Sequence, residues 1–546
     1  MLDTKKMPIE KAISKAPEQI PVPDQGSTAT AQAGRQAGPV LYQINTRVLL
    51  TGLSRALRRP ATLDDIPNES LDRIAADGFD WVWFLGVWQT GPAGRKVSLE
   101  NAEWRREYQA LLPDLTDDDI CGSCFAIQAY TVHSDFGGNP ALERLRERIH
   151  KRGMRLLLDF VPNHTAPDHA WVREHPEYYV HGTDERLGRE PQNYTRVATA
   201  TGPVVLAYGR DPYFAGWPDT LQLDYSNPNL QEALTSELEK IASMCDGVRC
   251  DMAMLVLPEV FERTWGLRPA PFWPAATKRV RARKPGFLFM AEVYWDLEWT
   301  LQQQGFDYTY DKRLYDRLRE GHARPVRDHF RADMDFQRKS ARFLENHDEP
   351  RAAATFPPGT YQAAAILTYL CPGLRFFHQG QAEGFTKRIP VHLGRGPAEA
   401  VNPEFRQFYD RLLQCLRHPI ARRGEWQLLE CSPAWEGNGT WDCFICSAWK
   451  GPDGTSLMVV VNYAPNQSQC YVRIPSGEFQ GHPVYLRDQM SPAKYERQGD
   501  ELLSRGLYLD LPAWGYHVFE LTTEAGSSRA QAAAATGTKE KRSAGS

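Results

Sequence analysis

Three patterns in the chain predict an α/β fold. From Pro39 to about Gly424, short apolar runs alternate with amphipathic segments, as in successive parallel βα units. One connection, from Asn163 to roughly Asp224, is far longer than the rest. After Gly424 the chain changes to brief alternating segments separated by turn residues, the pattern of an antiparallel sandwich. The expected architecture is a (β/α)8 TIM barrel with a domain inserted after strand 3 and a C-terminal antiparallel β-sandwich domain. The expected boundaries are a disordered leader at 1–38, the barrel at 39–424 with its insertion at about 163–224, the β domain at 425–522 and a disordered tail at 523–546.

The first strand is VLYQI (40–44) and the second lies in FDWVWFLGV (79–87), with a helix over Glu69–Ala76 between them. ALERLRERIHK (141–151) carries an apolar stripe and a charged outer face, so it reads as a helix. It leads into MRLLLDFV (154–161), a strand buried on both faces. NPNLQEALTSELEKIASM is a further amphipathic helix before the short fourth strand GVRC (247–250). Strands five to eight fall in GFLFMAEVYW (286–295), FDYTY (306–310), ARFLENHDEP (341–350) and LRFFHQGQ (374–381). An open doubly wound sheet is the alternative, but no Gly-rich phosphate fingerprint follows the first strand. LMVVVNYA, QCYVRIP, HPVYLRD, GLYLDLP and YHVFEL supply the strands of the last domain.

Composition bounds the function. A chain of 546 residues with 42% hydrophobic content suffices for two or three domains, and it contains no apolar run that would span a bilayer. A net charge of −4 gives no electrostatic case for nucleic acid or an anionic membrane as partner. The first residues lack the apolar core of a secretory signal, so a cytoplasmic location with reduced cysteines is expected. Cys121/Cys124 and Cys443/Cys446 form two C-x-x-C pairs. They lie far apart in sequence and are read as thiols without metal.

Polar residues gather at the C-terminal ends of the proposed strands, where barrels of this type build their sites. Strand three ends in Asp159, Asn163 and His164, strand four in Arg249 and Asp251, strand five in Glu292, and strand seven in His347 and Asp348. Arg249 and Asp251 are two residues apart on a strand, so they project to one side. Such an arginine favours an ionised carboxylate, as a nucleophile requires. Taken singly, each residue has a plain structural reading as a brace, a salt bridge or a helix cap. Together, three carboxylates from three strands converge on one pocket. Paired carboxylates at a sugar-sized pocket suit glycoside chemistry, with Asp251 as nucleophile and Glu292, among the apolar and aromatic groups of MAEVYW, as the acid.

The four segments LLLDFVPNH, GVRCDMA, FMAEVYW and FLENHD resemble, in order, the four signature regions of the α-amylase family, glycoside hydrolase family 13. SDFGGNPALERLRERIHKRGM resembles the family's approach to strand three, and the resemblance runs from about Pro39 to Leu521. It implies a retaining enzyme acting on α-glucans, malto-oligosaccharides or small α-glucosides, as a hydrolase or as a transglycosylase or isomerase. It further implies Asp251 as nucleophile, Glu292 as acid/base and Asp348 as the carboxylate that grips ring hydroxyls in the transition state. Arg249, His164 and His347 match polar contacts to the reacting sugar. Asp159, the family's barrel-bracing aspartate, and Phe125, in place of a stacking tyrosine, complete the candidate substrate-binding set. The insertion would be the family's domain B and the sandwich its domain C.

Two departures concern metal. The family's calcium-dependent members carry Lys-His three and four residues beyond the nucleophile, where this chain has Met254 and Leu255. Asn163 matches a calcium ligand that is also present in members without the ion. No cofactor is therefore expected, Ca2+ is not favoured, and no metal ligand is assigned. A carbohydrate is the expected partner, and oligomeric state is left open. A non-catalytic binding or assembly protein on the same barrel is the remote alternative, set aside because all three carboxylates are present. A metalloenzyme using His164, His347 and Asp348 lacks any H-x-H or H-x-x-x-H spacing.

Overall fold

The structure is a computed structural model that describes residues 38–523 except 201, 453, 454 and 475. The predicted tail, beyond Thr523, and the predicted leader, save Gly38, lie outside the described residues.

Eight parallel strands close into a barrel. They are β1 (Val40–Asn45), β2 (Trp81–Leu85), β3 (Arg155–Phe160), β4 (Gly247–Cys250), β5 (Leu288–Ala291), β6 (Tyr308–Tyr310), β7 (Ser340–Arg342) and β8 (Leu374–His378). β1 pairs with both β2 and β8, which closes the ring. Each expected strand is present: β1 runs one residue beyond its expected end, β4 matches GVRC, β7 starts one residue early, and all but β1 and β4 are shorter than the runs that announced them. The strands are buried almost throughout because helices cover the outside and side chains fill the inside. Register then fixes the site, since Arg249 of β4 lies between Asp159 of β3 and Met290 of β5. Gly247 permits that pairing: a Cβ there would stand 2.8 Å from both the Cβ and the carbonyl oxygen of Leu288.

The insertion after β3 is tied off at its own base. His164–Thr165 pairs antiparallel with Leu221–Gln222, and between them lie two short helices and the ribbon Tyr194–Thr199/Gly202–Ala207. A second excursion, not anticipated from the sequence, separates β2 from β3. It contains the ribbon Trp88–Thr90/Ile127–Val132 and the helices Pro92–Glu100 and Ala102–Leu111. Its helices are largely polar, so their sequence does not advertise a packed element. Their inner side is a small separate cluster formed by Tyr108, Leu112, Ile120 and Leu393.

The C-terminal domain is a sandwich of a six-stranded and a three-stranded antiparallel sheet around one shared apolar core. The edge strands Glu425–Leu429 and Lys494–Gln498 escaped the sequence reading, the latter because all five of its residues are exposed. Cys446 lies in a buried strand, whereas Cys443 ends the 3-10 turn before it, and all ten cysteines are free. Among the described residues, no helix is long and apolar enough to cross a membrane.

Polar clasps join sandwich to barrel. Trp449 Nε1 donates to the Leu370 carbonyl at 2.8 Å and the Tyr463 hydroxyl donates to that of Leu318 at 2.6 Å. Arg327 donates to the carbonyls of Asp442 and Phe444 at 3.0 and 3.1 Å and pairs with the Asp442 carboxylate. Removing Arg327 takes the donor from two carbonyls, while Asp442 keeps Arg324. Arg327→Met should therefore lower the unfolding free energy by about 1–3 kcal/mol, read as an earlier urea midpoint. An unchanged midpoint would show that this clasp contributes nothing to the stability of the chain.

Candidate active site

At the C-terminal mouth of the barrel, one side chain organises the others. Arg249 has no exposed surface. Its Nη1 stands 2.6 Å from Asp251 Oδ1, and its Nη2 stands 2.6 Å from Glu292 Oε2 and 4.0 Å from Asp348 Oδ2. The guanidinium also lies 5.2–5.7 Å from the ring centres of Phe125, Trp83 and Tyr310. A planar cation suits this place because its fork serves two carboxylates at once while its faces meet aromatic rings. The three carboxylates expected to share a pocket do so.

Glu292 receives further hydrogen bonds from the Met252 amide to Oε2 at 2.7 Å and from the Tyr294 hydroxyl to Oε1 at 2.9 Å. Burial nevertheless dominates and, opposed chiefly by Arg249, raises its pKa to about 7. Burial also raises the pKa of Asp251 from its ordinary value, with Arg249 pulling it down. Arg249 favours the ionised form, as its spacing suggested, and burial works against it. Asp348 differs: burial raises it, but the charge and hydrogen bond of His347 together with Arg249 bring it to about 2. Its side chain is 41% exposed, and its Oδ2 lies 3.0 Å from His347 Nε2. Glu292 and Asp348, around one guanidinium, thus differ in state: the first is a proton donor near neutral pH and the second is ionised.

The remaining candidates fall in three places. His347 is buried, with its Nδ1 2.8 Å from the Gln43 amide of β1 and its ring 5.5 Å from that of Phe125. His164 sits at the base of the insertion against Trp217, and burial lowers its pKa to about 3, so it is neutral. Asp159 faces protein donors: its oxygens accept from Trp83 Nε1 at 3.0 Å and from the Gly86 amide at 2.7 Å. Gly86, at φ +75°, makes the turn that aims this amide. Sequence reasoning missed Gln43, Tyr310 and the polar role of Tyr294. Only Tyr294 carried a local signal, being two residues beyond Glu292.

The residues connected with calcium have partners within the chain. The Gln222 amide nitrogen lies 3.0 Å from both Asn163 Oδ1 and the Asn163 carbonyl, and 3.1 Å from the Leu223 carbonyl. A hydrogen-bond donor therefore holds the place among these oxygens. Met254 and Leu255 are buried. Asp211 is committed to the Tyr213 and Phe214 amides, and burial raises the pKa of Asp219 to about 6.

Glu292 makes a pH prediction of fixed sign. The folded chain keeps this proton up to about 7, against an ordinary value of 4.5. Stability supplied through the group is full below 4.5 and is lost as pH rises through 7. The melting temperature of Glu292→Gln should accordingly fall less than that of the native chain across this interval. Parallel curves would mean that Glu292 is already ionised there.

Comparisons with known proteins place the chain in a family. The family profile described as "Alpha amylase, catalytic domain" matches residues 124–411, a stretch that includes Phe125, Asp159, His164, Arg249, Asp251, Glu292, His347 and Asp348 but not Gln43. Alpha-amylase MalA of Haloarcula japonica is 26% identical over 353 residues, which is 63% of this chain and 44% of that protein. An alpha-1,4-glucan:maltose-1-phosphate maltosyltransferase of Burkholderia pseudomallei is 24% identical over 59% of this chain and 26% of its own length. The chain thus spans less than half the length of these two relatives. The crystal structure of a maltogenic alpha-amylase, AmyB of Thermotoga neapolitana, superposes with a TM-score of 0.64 at 19% identity, over 89% of this chain and 99% of that one. With the profile covering more than half of its residues, the chain belongs to the α-amylase family.

Proposed function

We propose that the chain is a retaining enzyme that cleaves α-glucosidic bonds in α-glucans, malto-oligosaccharides or small α-glucosides. One observation carries this reading: a single buried guanidinium bridges two carboxylates, of which Glu292 keeps its proton near neutral pH. Double displacement uses carboxyl groups about 5–5.5 Å apart, against about 6.5–9.5 Å for inversion, and a shared guanidinium favours the shorter spacing. An Asp251 oxygen attacks the anomeric carbon while Glu292 gives its proton to the departing glycosidic oxygen. The glucosyl group is then esterified to Asp251. In the second step Glu292, now a carboxylate, takes the proton of the incoming hydroxyl, and Asp251 is released. Asp348, ionised and held by His347, grips ring hydroxyls, and Phe125 offers its ring to the same sugar. The incoming hydroxyl can belong to water or to a sugar. A relative named as a maltosyltransferase keeps the transfer reading open for this chain. A reducing cytoplasm suits the ten free thiols.

Asp251→Asn should abolish turnover without loss of fold. Glu292→Gln should fail on malto-oligosaccharides yet keep part of the first step with an activated aryl α-glucoside, whose leaving group needs little protonation. NMR of the first-formed sugar should show the α anomer. Release of the β anomer, or fast turnover by Asp251→Asn, would remove the assignment.

We further propose that the enzyme works without Ca2+, because Gln222 supplies from within the chain the donor that the oxygens of Asn163 and Leu223 require. EDTA should leave activity and melting temperature unchanged. A melting temperature lowered by the chelator and restored by Ca2+ would overturn this.

A further inference from the structure

The C-terminal sandwich ends in a sheet that turns away from the barrel. Val459 and Val461 of the strand Ser456–Asn462 belong to the apolar core shared with the barrel, whereas Met458 and Val460 of the same strand pack with the three-stranded sheet. That sheet, built from Cys431–Ser432, Ser468–Val472 and Leu507–Leu511, is therefore the outermost layer. Its strands alternate: Cys470, Val472, Leu509 and Leu511 enter the sandwich core, and Gln469, Tyr471, Tyr508 and Asp510 stand on the outer face.

Polar side chains would suffice on a face turned to water, yet its centre is aromatic. Tyr471 and Tyr508 are paired directly across the two strands, with ring centres 5.5 Å apart and planes at 56°. Tyr508 is 45% exposed. Arg505 Nη2 donates to the Tyr471 hydroxyl at 2.8 Å and holds that ring. The next cross-strand pair is Gln469 and Asp510, and Asp510 Oδ1 accepts from Gln469 Nε2 at 2.9 Å and from Gln467 Nε2 at 2.8 Å. A loop borders both rows. It starts at Ser432, the partner of Tyr471, and returns at Thr440, whose hydroxyl accepts from the Gln469 amide at 2.9 Å. Within it, Trp435 is 55% exposed.

We propose that this face binds a linear α-1,4-linked glucan chain, on a domain other than the one that carries the catalytic carboxylates. The C–H faces of glucose are apolar and pack on aromatic rings, while the hydroxyls at its rim need donors and acceptors. The two tyrosines supply the rings, and Arg505, Gln469 and Asp510 supply the polar frame. The tilt selects the linkage. Units joined α-1,4 turn relative to one another along a curved chain, so successive glucose faces meet rings inclined at 56°, whereas a flat β-1,4-linked ribbon calls for coplanar rings. Binding at this face does not depend on the catalytic reading. Its consequence does rest on that reading: a polymer held on one domain raises the local concentration of its own bonds for the other.

The test is co-sedimentation of the whole chain with insoluble amylose and, in parallel, with cellulose. The amylose concentration for half-maximal binding should rise about tenfold in the double variant Tyr471→Ala, Tyr508→Ala, a loss of about 1.4 kcal/mol. Tyr508→Phe, which keeps the ring, should lie near the native chain, and Tyr495→Ala, exposed in the six-stranded sheet, should match it. Cellulose should retain none of these chains. A cross-strand aromatic pair also supports its sheet, so melting temperatures accompany the binding curves. If the double variant melts early, Asp510→Ala, at an exposed position, takes its place and should weaken binding in the same direction. Turnover of an aryl α-glucoside, too small to span both domains, should be equal in all chains. Amylose binding that is absent from the native chain, unchanged in the variants, or matched by cellulose overturns the proposal. If no chain turns over the aryl glucoside, the catalytic reading fails while the amylose comparison still decides about the face.

Discussion

The site is organised around Arg249, a guanidinium with no exposed surface whose charge is met by carboxylates. An isolated buried cation would be several kcal/mol too costly to keep. Here two carboxylates contact its two terminal nitrogens, a third stands at 4.0 Å, Tyr310 accepts from Nε at 3.3 Å, and three aromatic rings lie around it. The dependence is mutual. Without the cation, Asp251, Glu292 and Asp348 would crowd negative charge into one pocket, and their proton affinities would no longer separate.

That constraint runs outward into the barrel. Arg249 comes from β4 and Asp251 from just beyond it, Glu292 follows β5, Asp348 follows β7, and His347 is met by Gln43 of β1. A slip of one residue in any of these strands would turn its polar group to the wrong face. The small residue Gly247 and the brace from Asp159 to Trp83 and Gly86 are therefore part of the chemistry at one remove. They keep the register that brings the charges together.

What could be read from the sequence follows the same division. Strands buried on both faces, such as LFMA and LRFFH, appear as apolar runs, and the charged residues at their ends follow from them. Contacts that cross the barrel leave no local trace: Gln43 and His347 are 304 positions apart. The excursion after β2 was missed because its helices, rich in Arg and Glu, bury little against the main core. The strand Lys494–Gln498 lacks the alternation that marks a half-buried strand, since every residue faces water. At Asp251 the charge of Arg249 was evident from spacing, but the depth of burial was not.

The tie between Asn163 and Gln222 has a consequence for how such a chain can change over time. It joins residues 59 positions apart, so the ends of the insertion are held together by their own pairing. The entropy of closing so long a loop grows only slowly with its length. Residues can be gained or lost beyond the tie with little strain passing into β3 or β4. The insertion is thus free to diversify, while the carboxylates of the site stay where the barrel puts them.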